Sequence, residues 1–291
     1  MKASLLYKEF VLGGHMLALG TAGIAATSAL LMQHNPTFNL LLMAYLFSYG
    51  AYSINRRAEM QQDMISNPER TSHLASRSKF IPLISSAYLL LGYILAITVN
   101  IYFFTVLLLP LILAFAYSIG SKRLEKLIGA RRLKDKLLVK NVVISLSWAL
   151  IPFIVSLYYL KLSVAIIPIS LFIFFRLMLN TIFFDVRDVE ADRRFGVSTV
   201  PVVLGINKSF KAMELSDIAS ALIIILSSVA NIIPSYSILL VVTSLYSFYY
   251  RHVATRDNEK MNILCDLVAD GEYLLWAPVL LAGRLLSGLV V

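Results

Sequence analysis

The stretch that decides the fold of this chain is LSVAIIPISLFIFFRLMLNTIFFDVRDVEADRRFG, residues 162–196. Its first part, residues 162–184, is almost entirely apolar and matches the length of about 20 residues that a helix needs to cross a bilayer core. Three aspartates and a glutamate follow immediately, within FFDVRDVEADRRFG at 183–196. The pattern predicts a membrane-spanning helix that carries a carboxylate cluster at one end.

The rest of the chain has the same apolar character. Of its 291 residues, 58% are hydrophobic and only 15% are charged, which excludes an ordinary soluble domain. We therefore predict an all-α integral membrane protein, a single domain over 1–291, with about nine transmembrane helices bundled around a central apolar cavity. The predicted spans are 10–32, 38–55, 80–98, 101–119, 139–160, 162–184, 216–233, 235–251 and 268–289.

Charge placement predicts the orientation of these spans. With nine spans, we assign all 17 Asp and Glu residues to the N-terminus or to the loops after spans 2, 4, 6 and 8. Of the 26 Lys and Arg residues, Lys161 and Arg284 lie at the opposite side, and Arg176 lies within the sixth span. The positive-inside rule then predicts a cytoplasmic N-terminus in a multi-pass protein of the cell membrane, with its active site facing the cytoplasm. The basic loop at 120–140 is interpreted as an orientation signal that contacts anionic lipid headgroups, and no nucleic-acid partner is expected.

The carboxylates after the sixth span have a regular spacing. Asp185, Asp188 and Asp192 lie at i, i+3 and i+7, so on an α-helix they fall within about 60° of one another. Carboxylates held this close repel unless a cation neutralises them, and hard oxygen ligands of this kind suit Mg²⁺ together with substrate phosphates. A magnesium-dependent phosphate site is one interpretation, and a solvated charge run paired with nearby arginines is the other.

A related pattern follows the second span, in INRRAEMQQDMISNPER at 54–70. Its polar residues Asn55, Glu59 and Asp63 lie at i, i+4 and i+8, and Arg56 stands where the later motif has its first aspartate. We call residues 55–63 the first motif and residues 185–192 the second motif. Two such helix ends meeting across a bundle are suited to hold a diphosphate through Mg²⁺ while its hydrocarbon tail stays in the membrane.

The two motifs and their flanking segments resemble the UbiA superfamily of intramembrane prenyltransferases. The resemblance is carried by NRRAEMQQD at 55–63, SNPER at 66–70, YSIGSKR at 117–123 with Asn141, DVRDVEAD at 185–192 and RRFGVSTVPVVLG at 193–205. It implies nine transmembrane helices and transfer of a polyprenyl group from its diphosphate to an aromatic or lipid acceptor, with Mg²⁺ assisting loss of diphosphate. The first motif departs from the family pattern, since Arg56 and Glu59 replace aspartates.

Site residues are predicted from this resemblance together with the helical spacing. The expected catalytic residues are Asp185, Asp188 and Asp63. The expected metal ligands are Asn55, Glu59, Asp63, Asp185, Asp188 and Asp192. The expected diphosphate ligands are Arg70, Lys79, Lys122, Arg123 and Lys140. Asp266 and Asp270, at i and i+4 before the ninth span, are weaker candidates for contact with the acceptor, since acidic residues also favour helix starts.

Two alternatives remain open from the sequence. The first is a terpene cyclase of the same fold, which needs no external acceptor. The second is a non-catalytic membrane protein or transporter in which the altered first motif has lost metal binding.

Overall fold

The computed structural model describes residues 2–118, 137–255 and 260–289, and within these ranges the chain is helical without any β-strand. The first seven helices are α1 (Lys2–Leu12), α2 (His15–Leu31), α3 (Phe38–Ala58), α4 (Met60–Ser66), α5 (Pro68–Ala75), α6 (Ile81–Val99) and α7 (Ile101–Ser118). After residue 136 come α8 (Val139–Ala149), α9 (Ile151–Tyr158), α10 (Ile166–Phe195), α11 (Val200–Leu204), α12 (Ile206–Val229), a 3₁₀-helix (Ser235–Val241) and α13 (Val242–Ala254). The last elements are α14 (Met261–Ile263), a π-helix (Leu264–Ala269) and α15 (Asp270–Leu289).

Several of these helices are long and apolar enough to cross a membrane. In the described residues four segments qualify by length and composition, namely α6, α8 with α9 (Val139–Tyr158), α10 and α12. A fifth is the pair Leu6–Leu12 and His15–Leu31, which bends by 59° at its break. The all-helical membrane architecture is therefore confirmed, while the nine-span topology stays a prediction.

The helix that carries the second motif is longer than the predicted span. It runs from Ile166 to Phe195 in one piece, so the aspartates lie on the helix, as their spacing predicts, and beyond the predicted span. No glycine or proline interrupts the sequence after Pro168 until Gly196. Gly196 adopts the left-handed conformation, with φ of 71°, and its N–H bonds to the last carbonyls, which ends the helix. The second motif is thus held on a rigid element.

The first motif crosses a helix break instead. Helix α3 is capped at its start by Thr37, whose side chain accepts a hydrogen bond from the Leu40 N–H, and it ends just before Glu59. Helix α4 starts immediately after the break, and α5 is capped by the Asn67 side chain with Pro68 at its first turn. The motif therefore has one residue, Glu59, that belongs to neither helix.

The break between α1 and α2 depends on a glycine. Gly14 has φ of 90°, a conformation that residues with a Cβ rarely adopt. A Cβ placed on Gly14 would lie 2.8 Å from the ring of Tyr52 on α3, which is closer than real Cβ contacts. Gly14 thus sets both the bend of the N-terminal helix pair and the position of Tyr52.

The bundle interior contains an ion network that we call the interior network, formed by Arg176, Asp217, Arg251 and Glu272. Arg176 on α10 is buried and donates through Nε to Glu272 Oε1 at 3.0 Å, and it also forms an ion pair with Asp217 on α12. Arg251 on α13 pairs with the other oxygen of Asp217. The assignment of all acidic residues to the N-terminus and loops was therefore wrong for Asp217 and Glu272, which are buried within helices and pair there with Arg176 and Arg251.

Helices α2 and α15 approach closely next to this network. A Cβ on Gly23 would lie 2.4 Å from the backbone oxygen of Tyr273, so only glycine permits this contact. On the α10 side of α15, the Phe172 and Trp276 rings lie with centroids 4.9 Å apart. The Trp276 Nε1–H donates to Glu272 Oε1 at 3.2 Å, which joins the apolar core to the interior network.

Candidate active site

The second motif presents its carboxylates towards the start of α8. Asp185 is fully buried and accepts hydrogen bonds from Lys140 Nζ and Asn141 Nδ2, each at 2.7 Å. Asp192, two turns further along α10, is also fully buried, and Lys140 Nζ lies 4.0 Å from its Oδ2. This oxygen has no hydrogen-bond partner among the described residues. Lys140 therefore partly neutralises two of the three aspartates and leaves one carboxylate oxygen unsatisfied.

Asp188 is held by the neighbouring arginine. Arg187 donates from Nε to Asp188 Oδ1 at 2.7 Å and from Nη2 to Oδ2 at 3.0 Å. The same guanidinium reaches Asp266 Oδ1 with Nη1 at 2.9 Å. Arg187 thus ties the second motif to the π-helix that precedes α15.

The first motif meets the second motif across the bundle. Gln62 on α4 donates from Nε2 to Asp192 Oδ1 at 2.7 Å, although the two residues are 130 positions apart in the chain. Asp63, the next residue, is buried and accepts a hydrogen bond from Arg56 Nη1 at 2.9 Å. Asn55 is exposed and donates to Glu59 Oε2 at 3.2 Å. The predicted meeting of the two motifs is present, and Gln62 makes the direct contact.

A third group of residues links these two motifs. Arg70 on α5 is 1% exposed, lies with Nη2 3.7 Å from Asp63 Oδ2, and donates from Nη1 to Asp266 Oδ1 at 2.8 Å. Asn67 donates to the other oxygen of Asp266. We call the alternating series Arg56, Asp63, Arg70, Asp266, Arg187 and Asp188 the arginine chain. It runs from the end of α3 to the second motif, with each carboxylate between Arg56 and Arg187 shared by two guanidinium groups.

The π-helix places Asp266 within this chain. A π-helix inserts an extra residue into a helical turn, and such insertions are frequent at functional sites. Asp266 lies in the π-helix Leu264–Ala269, and Asp270 begins α15 one turn later; both side chains are buried. Cys265 beside them is fully buried, and burial raises the pKa of its thiol, so it stays protonated at neutral pH.

The remaining predicted residues have different placements. Lys79 is exposed, in the turn between α5 and α6, and makes no ion pair with a described residue. Lys122 and Arg123 lie outside the described residues. Of the predicted diphosphate ligands, Arg70 and Lys140 are therefore the two that the structure brings to the motifs.

Three site residues were not predicted from sequence. Gln62, Asn67 and Arg187 each contact an aspartate of the site, but none has a spacing that sets it apart from other polar residues of its segment. Asn67 offered one signal, because Asn-Pro before a helical segment is typical of a helix N-cap. Contacts between separate helices depend on packing, which the periodicity of a single helix does not specify.

Comparison with known proteins defines the class to which this fold and site belong. The model of the UbiA prenyltransferase family matches residues 16–265, and the chain belongs to this family. A UbiA homolog from Archaeoglobus fulgidus, solved with GPP and Mg²⁺ bound, superposes with a TM-score of 0.66 over 94% of this chain and 99% of that one, at 16% identity. At this level of identity the likeness shows a common fold.

Two curated proteins are similar to this chain in sequence, and their names give a particular enzyme. A digeranylgeranylglyceryl phosphate synthase from Sulfurisphaera tokodaii is 27% identical over 203 residues, covering 67% of this chain and 65% of that protein. The enzyme of the same name from Sulfolobus acidocaldarius is 31% identical over 178 residues, covering 58% of each. The chain thus matches less than two thirds of the length of either relative.

Proposed function

We propose that this chain is an intramembrane prenyltransferase, which moves a polyprenyl group from its diphosphate to a lipid acceptor. The observation that carries the proposal is the meeting of the two motifs through Gln62 and Asp192, next to a cluster of buried cations. A charge run on a wet surface would not place Arg70, Asp185 and Asp192 in the interior, where each charge loses its hydration. Membership of the UbiA family and the names of the two relatives support the same activity.

Mg²⁺ is the cofactor of this proposal, and the second motif provides ligands of the kind it prefers. Asp185, Asp188 and Asp192 offer carboxylate oxygens on one helix face, and Asp192 Oδ2 is a buried acceptor with no partner in the described residues. As the described side chains lie, no three acidic, His or Cys side chains are grouped so that they could hold a metal ion, and Lys140 and Arg187 occupy carboxylate oxygens of Asp185 and Asp188. Lys140 and Arg187 would then share the aspartates with the metal ion. A bound metal ion would stabilise the negative charge on the leaving diphosphate.

The chain's own cations bind the diphosphate in this proposal. Arg70 has two nitrogens, Nε and Nη2, that are buried and without hydrogen-bond partners in the described part of the chain. Together with Lys140 it supplies positive charge on both sides of the contact between the motifs, where charge develops as the allylic C–O bond breaks. Lys79, Lys122 and Arg123 stay predicted diphosphate ligands without a contact that supports them. Asn55, Glu59 and Asp63 likewise stay predicted metal ligands.

The acceptor we propose is a glycerol-phosphate lipid, on the strength of the two relatives' names. In the transfer, the acceptor hydroxyl oxygen forms a bond to the allylic carbon, the C–O bond to diphosphate breaks, and the hydroxyl proton leaves. Asp266 and Asp270 are the acidic residues proposed to contact this acceptor. Asp266 already binds Asn67 and two arginines, so we assign it to positioning the acceptor. We assign Asp270 to accepting the proton that the acceptor hydroxyl loses.

The remaining features of the proposal concern topology. We propose a single domain with nine transmembrane helices around an apolar cavity for the prenyl tail, in the cell membrane, with the N-terminus and both motifs at the cytoplasmic side. The uneven distribution of Lys and Arg supports this orientation. The orientation is tested in a Cys265→Ala variant that carries a single new cysteine at one terminus or the other. Intact cells are labelled with a thiol reagent that does not cross the membrane, and the predicted cytoplasmic N-terminus should stay unlabelled.

The proposed activity is tested with purified protein in lipid nanodiscs. Polyprenyl diphosphates of several lengths are incubated with Mg²⁺ and either a monoprenyl glyceryl phosphate or 4-hydroxybenzoate, and the products are identified by mass spectrometry. We expect the prenylated glyceryl phosphate and equimolar diphosphate. Prenylated hydroxybenzoate would change the acceptor class, and cyclised hydrocarbon without any acceptor would identify a cyclase. Absence of diphosphate release under every condition would contradict the enzyme proposal.

A further inference from the structure

The first motif contains its own cation. Arg56, in the last turn of α3, has a side chain only 13% exposed, and its guanidinium carbon lies 4.8 Å from the centre of the Tyr52 ring. It donates from Nη1 to Asp63 Oδ2 at 2.9 Å, while its Nε is buried with no partner in the described residues. The aromatic ring and the carboxylate together fix the guanidinium in one place and leave one donor free.

One oxygen of Asp63 is already neutralised by cations of the chain. The oxygen that Arg56 binds also lies 3.7 Å from Arg70 Nη2, so two guanidinium groups already share it. A divalent cation bound to this carboxylate would stand within a few ångströms of two fixed positive charges, whose repulsion is strong where water is excluded. The first motif is therefore neutralised from within the chain.

The second motif differs at the corresponding position. Asp192 Oδ2 has no hydrogen-bond partner among the described residues, and its ion-pair partner Lys140 is 4.0 Å away. Asp192 Oδ2 thus differs from Asp63 Oδ2, which two guanidinium groups share, although both side chains are buried. The two halves of the site are complementary, since one has a free acceptor and the other has free donors.

We propose that Arg56 takes the place of a metal ion on the first-motif side, so that the site takes divalent metal at the second motif alone and Arg56 binds the diphosphate directly. The free Nε of Arg56, together with the free Nε and Nη2 of Arg70, supplies the donors for this contact. This inference rests on the proposed function only for the identity of the anion. It replaces the predicted metal ligation by Asn55, Glu59 and Asp63 with an ion pair between Asp63 and Arg56 that aligns the guanidinium.

The number of bound metal ions tests the proposal. Mn²⁺ is titrated into the full chain in nanodiscs with geranyl S-thiolodiphosphate, which resists cleavage, and free Mn²⁺ is measured by EPR. We expect one Mn²⁺ per chain in the wild type. We expect one in Asp63→Asn as well, and none in Asp192→Asn. Two ions in the wild type, or loss of an ion in Asp63→Asn, would overturn the proposal without any reference to activity.

The affinity for the anion tests the role of Arg56 itself. Arg56→Gln should weaken binding of the thiolodiphosphate by about tenfold, because a charge-assisted contact is lost, with the count of Mn²⁺ unchanged. Arg57→Gln is the matched control, since Arg57 is the exposed neighbour, and should stay within about twofold. Protection of Cys265 from maleimide shows that each variant is folded. Unchanged affinity in a folded Arg56→Gln would overturn the proposal.

These outcomes are separable from those of the proposed function. A wild-type chain that forms prenylated product but binds two Mn²⁺ ions would contradict this inference and leave the prenyltransferase proposal intact. A chain that binds one Mn²⁺ with the analogue through Arg56, but forms no product, would support the inference about the anion site and contradict the enzyme.

Discussion

The interior network and the acidic end of the bundle use the same residue types in opposite ways. The interior network has two arginines and two carboxylates, and every ion pair joins different helices. The described part of the acidic end has six aspartates and four cations, namely Asp63, Asp185, Asp188, Asp192, Asp266 and Asp270 with Arg56, Arg70, Lys140 and Arg187. Unsatisfied polar atoms remain on both its acids and its arginines. Equal numbers of acids and arginines, paired with one another, hold the helices together. An excess of acids with unsatisfied polar atoms can in addition bind a charged ligand.

The two regions should respond differently when a charge is removed or a charged ligand binds. Removing one charge from a buried, fully paired set leaves its partner unpaired, which is strongly destabilising. At the acidic end, in contrast, a metal ion or an anion can form contacts that are missing in the chain alone. Substitutions should therefore affect stability in the first region and activity in the second.

The largest effect is expected from Arg176→Met. Asp217 and Glu272 would lose a buried partner, which should lower the free energy of unfolding by about 3–5 kcal/mol. Thermal unfolding in detergent, followed by light scattering and the exposure of Cys265, measures the loss. The double variant Arg176→Met with Glu272→Gln should recover part of the stability, because fewer charges remain unpaired. A single variant as stable as the wild type would show that the network is not structural.

Asp188→Asn should have the next largest effect, on activity instead of stability. Losing this carboxylate should lower kcat/KM for the prenyl diphosphate by about 10²–10³-fold, since it removes one preorganised electrostatic contact. The matched control is Glu190→Gln on the same helix, where the exposed acid pairs with Arg194 at the surface. We expect the control to stay within about twofold. Equal losses in both variants would indicate a general effect of charge.

A smaller effect is expected from Gly14→Ala. The substitution forces a residue with a Cβ into φ of 90° and against the Tyr52 ring, at a cost of about 1–3 kcal/mol in stability. It should also weaken diphosphate binding, because Tyr52 supports Arg56. Gly196→Ala is the comparison, since its φ is 71° but no atom lies within 4 Å of an added Cβ. A larger loss in Gly196→Ala would contradict the importance of the Tyr52 contact.

The smallest effect is expected from Lys79→Ala. Lys79 is exposed, and an exposed charge acts on a buried anion through screening solvent. We expect the KM for the prenyl diphosphate to rise less than about threefold, measured against Arg70→Gln, which should raise it far more. A similar rise in the two variants would place Lys79 in the site.

Much of the site followed from helical periodicity. The spacing of Asp185, Asp188 and Asp192 places them on one face of a single helix, and the structure holds them there. Arg176, the charge within the sixth span, has two acidic partners in the structure. Periodicity did not indicate that Asp217 and Glu272 would be those partners, because it says nothing about which faces of separate helices meet.

The boundaries of the helices were less predictable for a related reason. The apolar span was predicted to end at residue 184, and α10 carries the second motif beyond it as far as Phe195, a helix end that hydropathy does not give. In this part of α10, Lys140 pairs with the buried Asp185, and Gly196 ends the helix. At the break between α1 and α2, a Cβ on Gly14 would meet the Tyr52 ring of another helix. Such features depend on tertiary contacts that hydropathy does not contain.

The π-helix at Leu264–Ala269 sets the register between the two charged regions. Asp266 within it faces the arginine chain, and Glu272, a few residues later on α15, faces Arg176 in the interior network. One residue more or less between them would rotate one acid relative to the other by about 100° around the helix axis. A single deletion in this turn would therefore preserve every charged residue of the protein and still disconnect the part that binds from the part that supports it.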